Sequence, residues 1–177
     1  MALKILVGVV VVLGALAAYI ATRPSEFSVT RSATYAAPPA AVFAQVNELK
    51  KWESWSPWAK KDPQAKSSYA GPAAGAGATM AWAGNKDVGE GCMTIVESKP
   101  AELVRFKLEF LKPFEATNEA LFAFKSEGGK TTLTWTMTGQ NNFVGKAMCL
   151  VVDMDKMVGG DFEKGLDGIR ALVEAKK

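Results

Sequence analysis

Few residues in this sequence could carry out chemistry on a small molecule. The chain contains no histidine, which excludes imidazole general bases, Ser-His and Cys-His nucleophile pairs, and zinc sites that need a histidine ligand. Proton transfer would therefore depend on carboxylates, lysine, tyrosine or a bound cofactor. The candidate acids and bases are Tyr35, Tyr69, Glu97 and Glu119. None of them has an evident partner in the sequence, so we predict no catalytic residue.

The densest group of acidic residues does not have the pattern of a metal site. Its members are Asp153, Asp155, Asp161 and Glu163. Their spacing does not match a calcium-binding loop. Lys156 and Lys164 stand among them, which favours a solvated helix face. The sequence therefore implies no metal and no cofactor.

The sequence gives no indication of nucleotide or nucleic-acid binding. Residues 127–131 (EGGKT) end like a phosphate-binding loop, but Phe124 stands where that motif needs glycine and a strand pattern follows. We predict a hairpin turn there. The 21 basic and 18 acidic residues give a net charge of +3 and are scattered along the chain, whereas nucleic-acid binders cluster Lys and Arg on one face.

The two cysteines, Cys92 and Cys149, are far apart in the sequence. One disulfide in an exported protein and two buried thiols are both compatible with such a pair. A single pair at long spacing is no disulfide framework, which favours the thiols.

Residues 5–21 form an uncharged apolar run, ILVGVVVVLGALAAYIA, between Lys4 and Arg23. Its length lies at the lower edge of the roughly 17–25 residues needed to cross a bilayer. It exceeds the roughly 7–15 residues of a signal-peptide core, and a cleavage site at residues 15–17 (ALA) would cut inside it. We predict a membrane anchor with a short linker in residues 1–24. A cleaved signal and a buried soluble helix are the alternatives.

The orientation of this span depends on few charges. Lys4 lies before it, and Arg23 and Arg31 follow, so the positive-inside rule hardly discriminates. The short leader before the span favours an internal N-terminus and a domain outside the cytoplasm. Residues 25–177 have the size of one domain.

Strands dominate this domain. Residues 26–36 alternate apolar and polar side chains, as a half-buried strand does. Six further strand patterns occur at the spacing of an antiparallel meander; they cover residues 67–70, 79–83, 91–98, 103–111, 115–124 and 131–138. Each has one apolar face, which is typical of a sheet covered on one side. The sequence therefore predicts an α+β fold.

Helices are predicted at two places. Pro38-Pro39 opens a short helix after the first strand, and a second helical segment carries Trp52 and Trp55. Near the C-terminus, apolar residues at i, i+4, i+7 and i+11 form one helical stripe; they are Phe162, Leu166, Ile169 and Val173. Gly159-Gly160 is expected to separate this long helix from an apolar helix over 144–157.

Four segments of the domain resemble the SRPBCC (START/Bet v 1-like) superfamily, and specifically its membrane-anchored polyketide cyclase/dehydrase-like proteins of bacteria. They are APPAAVFAQVNELKKWESWSPW (37–58), GNKDVGEGCMTI (84–95), TWTMTGQNNFVGK (134–146) and MDKMVGGDFEKGL (154–166). The resemblance implies a helix-grip fold, in which a curved sheet of about seven strands grips the C-terminal helix around an apolar cavity. It implies no catalytic set, because this superfamily mixes lipid carriers, cyclases, hydrolases and binding proteins.

Aromatic and methionine side chains are the candidates for lining that cavity, because thioethers adapt to irregular apolar shapes. The predicted ligand-binding residues are Trp58, Trp82, Met93, Phe106, Phe110, Trp135, Met137, Met154 and Phe162. The alternative is that these side chains meet and form a solid core. We expect Trp52 and Trp55 to pin the helical insert on the sheet edge, and Trp58, released by Pro57, to lie at the pocket entrance.

Three functions follow from this sequence. The first is a membrane-tethered protein that binds a hydrophobic or amphiphilic, lipid-like small molecule, with its domain on the periplasmic side of a bacterial membrane. The second is a cyclase/dehydratase-like enzyme acting on a hydrophobic substrate. The third is a protein–protein interaction module of the envelope. A carboxylate inside the cavity with a raised pKa would favour catalysis, and an apolar lining would favour binding.

Overall fold

The computed structural model describes residues 2–175. Its first helix, α1 (Ala2–Thr22), is apolar, exposed along almost its whole length, and long enough to cross a membrane. A signal sequence near the N-terminus would meet the same criterion. Only residues 23–25 separate α1 from the first strand.

The domain follows the predicted order of one strand, short helices, six strands and a long helix. Its elements are β1 (Glu26–Tyr35), α2 (Pro39–Asn47), a 3₁₀ turn (Leu49–Lys51), α3 (Trp52–Trp55), α4 (Pro57–Lys61), β2 (Lys66–Ala70), β3 (Thr79–Ala83), β4 (Glu90–Lys99), β5 (Leu103–Lys112), β6 (Ala116–Glu127), β7 (Lys130–Gln140), α5 (Phe143–Met148) and α6 (Met154–Val173). The predicted α+β class and helix-grip order are confirmed.

The seven strands form one antiparallel sheet in the order β1-β7-β6-β5-β4-β3-β2. Its outer face is polar, and hydroxyl pairs bond across β1 and β7, such as Thr30 with Thr136 at 3.0 Å. Its inner face is apolar and packs against the helices. A β-bulge between Ile95 and Glu97 interrupts the register of β4, and bulges increase the local bend of a strand.

The glycine-rich stretch at residues 127–131 is a hairpin turn, as predicted. It joins β6 to β7, and Glu127 pairs with Lys130. Gly128 and Gly129 have φ of 58° and 75°, a left-handed backbone that favours glycine.

Helix α6 runs without a break through Gly159 and Gly160, and the chain leaves the helical path at residues 149–153 instead. The predicted interruption and the predicted helix over 144–157 are therefore both wrong. A Cβ atom on Gly159 would overlap the guanidinium of Arg31, which extends from β1 onto the helix. That guanidinium donates to Asp155 at 2.9 Å and to Glu163 at 2.7 Å, one on each side of the glycine. These contacts offset the helix-propensity cost of glycine, about 1 kcal/mol.

The acidic cluster is not a solvated helix face throughout, which corrects a second prediction. Asp161 is only 7% exposed. Its carboxylate pairs with Lys61 of α4 and, at 3.3 Å, with Lys164. Asp153 instead caps α6 by accepting the backbone N–H of Lys156.

Trp52 and Trp55 are buried against the centre of the sheet, not against its edge as predicted. The Trp52 ring lies 5.4 Å from Phe106 on the central strand β5. The indole N–H groups donate to Val46 and Gln45 carbonyls at 3.0 and 2.9 Å. The two rings therefore hold α2 and α3 together above the sheet.

Candidate ligand-binding cavity

A cavity of about 260 Å³ lies between the inner face of the sheet, the helices α3 and α4, and the first half of α6. Strands β2 to β7 form its sheet side. The side chains on both sides are mostly aromatic or aliphatic. The predicted apolar residues therefore surround a space here, where the alternative prediction was a solid core.

All of the predicted ligand-binding residues except Met154 line this cavity. The lining ones are Trp58, Trp82, Met93, Phe106, Phe110, Trp135, Met137 and Phe162. Met154 is the first residue of α6 and is absent from the wall. Val158, four residues later on α6, lines the wall instead.

The sequence pattern contains further lining residues that were not predicted. Met80 precedes Trp82 by two positions on β3, and Leu108 lies between Phe106 and Phe110 on β5. Both lie on the same face of their strand as a predicted residue, because side chains alternate along a strand. The period-2 pattern was therefore sufficient to find them.

One end of the cavity is closed by a cluster of aromatic rings. Trp135 stacks on Phe162 with ring centroids 3.9 Å apart, and Trp58 meets the Trp135 ring edge-on at 5.9 Å. The indole N–H of Trp135 is buried and has no hydrogen-bond partner among residues 2–175. This aromatic cluster therefore contains one hydrogen-bond donor, the Trp135 N–H, that is free to bond to a ligand.

The opposite end lies among β3, β4 and β5. Trp82 packs closely on Gly91, where a Cβ atom would be 2.6 Å from the indole, and its ring meets Phe110 at 5.8 Å. Val88, from the β3–β4 turn, also lines this end. The Asn85 N–H of that turn donates to Asp62, just after α4, at 2.7 Å. The turn and the end of α4 are thus joined beside the cavity.

Polar side chains are few along the wall, and Glu53 is the ionisable one among the lining residues that the structure describes. Its carboxylate is solvent-exposed and accepts the Tyr69 hydroxyl at 2.6 Å. Burial, and secondly this bond to Glu53, raise the pKa of Tyr69 to about 12. The hydroxyl therefore remains protonated at neutral pH and acts as a donor.

The other candidate acids and bases lie away from the cavity. Tyr35 is buried and donates to the Leu166 carbonyl at 3.1 Å; burial raises its pKa. Glu97 and Glu119 are both bonded to Arg105. None of these three lines the described cavity.

The two cysteines are free thiols. Cys92 is half-buried, and its Sγ donates to Glu109 at 3.7 Å. Burial, and secondly the neighbouring Glu109 carboxylate, raise the pKa of the Cys92 thiol. Cys149 is exposed after α5. The structure therefore agrees with two thiols, of which neither is fully buried.

Comparison with known proteins gives a family and a fold. The family model described as "Polyketide cyclase / dehydrase and lipid transport" matches residues 26–174. No curated protein is significantly similar to the chain.

Many solved structures share the fold at low sequence identity. Protein MLL2253 from Mesorhizobium loti has a TM-score of 0.63 and 10% identity, over 85% of this chain and 99% of that one. The Aha1 dimer from Colwellia psychrerythraea has a TM-score of 0.61 and 13% identity, over 85% and 98%. The di-domain ARO/CYC BexL from the BE-7585A biosynthetic pathway has a TM-score of 0.62 and 16% identity, over 89% of this chain and 53% of that one. At these identities the similarity establishes the fold alone.

Proposed function

This chain belongs to the polyketide cyclase/dehydrase and lipid transport family, and on that premise we propose that it is a membrane-tethered binding protein for a hydrophobic or amphiphilic small molecule. The ligand occupies the cavity between the sheet and α6. The helix α1 anchors the domain to a bacterial membrane, on its periplasmic side.

The apolar cavity is the observation that carries the proposal. Its volume of about 260 Å³ exceeds the roughly 150 Å³ of a dry protein cavity that binds benzene. It lies just below the roughly 300–1,000 Å³ of typical ligand pockets. A ligand of one or two rings, or one segment of an acyl chain, therefore fits better than a whole phospholipid.

The few polar groups on the cavity wall favour an amphiphile over a pure hydrocarbon. A buried donor without a partner costs about 1–3 kcal/mol, and an acceptor on the ligand would satisfy the Trp135 N–H at the closed end. Glu53, Ser56 and Ser67 provide polar contacts elsewhere on the wall. We expect the ligand to carry one hydrogen-bond acceptor on an apolar body.

The dimensions of α1 support the anchor. Its 21 residues span about 31 Å at roughly 1.5 Å per residue, which matches a hydrocarbon core of about 30 Å. Tyr19 and Arg23 lie together at its end, with the guanidinium 5.8 Å from the ring centroid. Such a pair suits the membrane interface.

The test is extraction of bound ligand from the full chain, purified from membranes in detergent and analysed by mass spectrometry. Ala120 is buried on the cavity wall, so Ala120→Leu fills part of the space. Ala123→Leu on the same strand is the matched control, because residue 123 points to the opposite face. We expect an apolar molecule bound to the wild type and to Ala123→Leu, and a clear loss in Ala120→Leu. Wild-type protein without such a molecule, or equal loading of all three, contradicts the proposal.

The same spectra test the anchor. A purified chain whose mass includes residues 1–24 supports a retained span. A chain cleaved near residues 15–17 identifies α1 as a signal sequence, whether or not the cavity holds a ligand.

A cyclase-like enzyme is the second candidate, favoured by Glu53, which lines the cavity and accepts the Tyr69 hydroxyl. In that case the ligand is a substrate, and the Tyr69 hydroxyl or the Glu53 carboxylate moves a proton. Glu53→Gln would then abolish conversion of the extracted molecule while its binding persists. Unchanged ligand after prolonged incubation with wild-type protein contradicts this candidate.

A further inference from the structure

We infer that the end of the domain next to α1 rests on the bilayer through exposed apolar residues, so that the near end of the cavity faces lipid. The apolar contact surface consists of Leu111, Phe114, Phe143, Val144, Met148 and Val151. The inference rests on the anchoring role of α1 proposed above.

Sheet register places these residues at one end of the molecule. Glu26, the first residue of β1, pairs with Gln140, the last residue of β7. Phe110 near the end of β5 pairs with Ala116 at the start of β6, so the β5–β6 turn lies at the same end. Helix α5 follows β7 directly, and the Asn141 N–H donates to the Ser25 carbonyl at 2.7 Å.

The last turn of α1 touches α5 itself. Ile20 is buried, whereas the other described residues of α1 are exposed. The Lys146 ammonium of α5 donates to the Ala21 carbonyl at 3.3 Å, and α1 and α5 are in contact. Since Tyr19 and Arg23 mark the interface end of the span, α5 lies at the depth of the lipid headgroups.

The linker leaves the domain little freedom to rise from the membrane. Residues 23–25 reach at most about 11 Å when fully extended, and the bond between Ser25 and Asn141 fixes the last of them to the domain. The domain therefore remains next to the bilayer surface, with the α5 end closest.

The side chains exposed at this end are apolar, and their contact with water is unfavourable. Each of the six residues of the contact surface is more than 40% exposed, and Val151 is 84% exposed. Single exposed apolar residues are ordinary, but a group of them on one end marks an interaction site. Arg23 and Lys146 stand beside this group, and an apolar surface bordered by cations fits an interface containing anionic lipid.

The cavity approaches the same end. Trp82 and Phe110 both flank Gly91, close to the β3–β4 and β5–β6 turns. Trp135 and Phe162 close the other end, further from α1. With the contact surface on the bilayer, an apolar ligand would move between lipid and cavity without crossing bulk water.

Spin-label accessibility in vesicles tests this arrangement on the full chain. The natural Cys149 is exposed next to Met148 and Val151, so a nitroxide is attached there in a Cys92→Ser chain. The protein is reconstituted in phosphatidylcholine vesicles with a minor fraction of phosphatidylglycerol. Two control labels are placed in chains lacking both native thiols: Leu13→Cys within α1, and Lys125→Cys at the far end of the sheet.

We expect oxygen dissolved in the bilayer to relax the Cys149 label, and an aqueous nickel chelate to leave it unaffected. The Lys125→Cys label should show the reverse. Val151→Asp should restore nickel access at Cys149. Such a result would show that the apolar side chains of the contact surface, and not the attached label, insert this end into the bilayer.

Two results overturn the inference. Nickel access at Cys149 equal to that at Lys125→Cys places this end in water. A Cys149 label shielded from both reagents and broadened by a nearby second label identifies another copy of the chain as the occupant. In both cases a lipid-exposed Leu13→Cys label leaves the anchor proposal intact, whereas nickel access at Leu13→Cys refutes the anchor as well.

Discussion

Replacing Gly168 by alanine tests how closely α6 packs on the helical insert that forms one wall of the cavity. A Cβ atom at residue 168 would lie 2.7 Å from the carbonyl oxygen of Trp55 and 3.2 Å from its Cα. Neither atom can rotate away, because both belong to the backbone and the Trp55 ring is fully buried. The substitution therefore forces α3 and α6 apart.

Two opposing effects determine the size of the change. Glycine-to-alanine replacement inside a helix stabilises by about 0.8–1 kcal/mol. Overpacking of a tight contact costs about 1–3 kcal/mol, and a clash with rigid backbone belongs at the upper end. We expect Gly168→Ala to lower the free energy of unfolding by about 1–2 kcal/mol. At roughly 2–4 °C per kcal/mol for a chain of this size, Tm falls by several degrees.

Gly160→Ala on the same helix is the matched control, because a Cβ atom there would meet nothing within 4 Å. We expect it to raise the free energy of unfolding by up to about 1 kcal/mol. Both variants are measured by thermal unfolding in detergent, followed by tryptophan fluorescence. If Gly168→Ala is as stable as Gly160→Ala, the close approach of α6 to Trp55 is refuted.

Three further predictions concern the contacts that hold α6 and α5. Lys61→Met removes a partner of buried Asp161, so we expect a loss of about 1–3 kcal/mol in thermal unfolding at neutral pH; an unchanged Tm contradicts this. The hydrogen bond from Arg31 lowers the pKa of Asp155, although burial partly opposes it. The contribution of this pair to stability is therefore present above the unfolded pKa of about 3.9 and is lost as pH falls through the folded value. In Arg31→Met, Tm should therefore decline less between pH 5 and pH 3; an unaltered decline refutes the role of this pair. Asn142→Ala removes the α5 cap and should cost about 1 kcal/mol, seen as faster hydrogen exchange confined to α5.

Strand positions could be predicted from sequence because one face of the sheet is covered and the other meets water. In β5, Val104 and Phe106 face the covered side of the sheet and alternate with Arg105 and Lys107 on the other side. This strand begins at the predicted residue. The same alternation placed seven strands in order. It also placed the sheet residues of the cavity wall, since each of them lies on an inner face.

The errors occur where a distant side chain decides the local structure. Gly159 is helical because Arg31 fills the space beside it, and Arg31 is far away in the sequence. Met154 was predicted to line the wall because methionine adapts to irregular apolar shapes, but it is the first residue of α6, and Val158, about one turn later, contributes to the wall. Asp161 is buried because Lys61 reaches it from α4. The volume of the cavity likewise depends on how rings from separate elements pack, and no local pattern records this.

The central claim, that the cavity binds an apolar molecule, is tested most directly by quenching of tryptophan fluorescence with a brominated medium-chain fatty acid. Trp52, Trp58, Trp82 and Trp135 line the cavity, and α1 contains no tryptophan. Bromine in the bilayer alone therefore reaches at most Trp82, at the end of the cavity next to α1, and the quenching that depends on Ala120 reports ligand inside the cavity. For the full chain in lipid nanodiscs we predict saturable quenching that Ala120→Leu abolishes. Absence of quenching, or equal quenching in Ala120→Leu, would contradict the account.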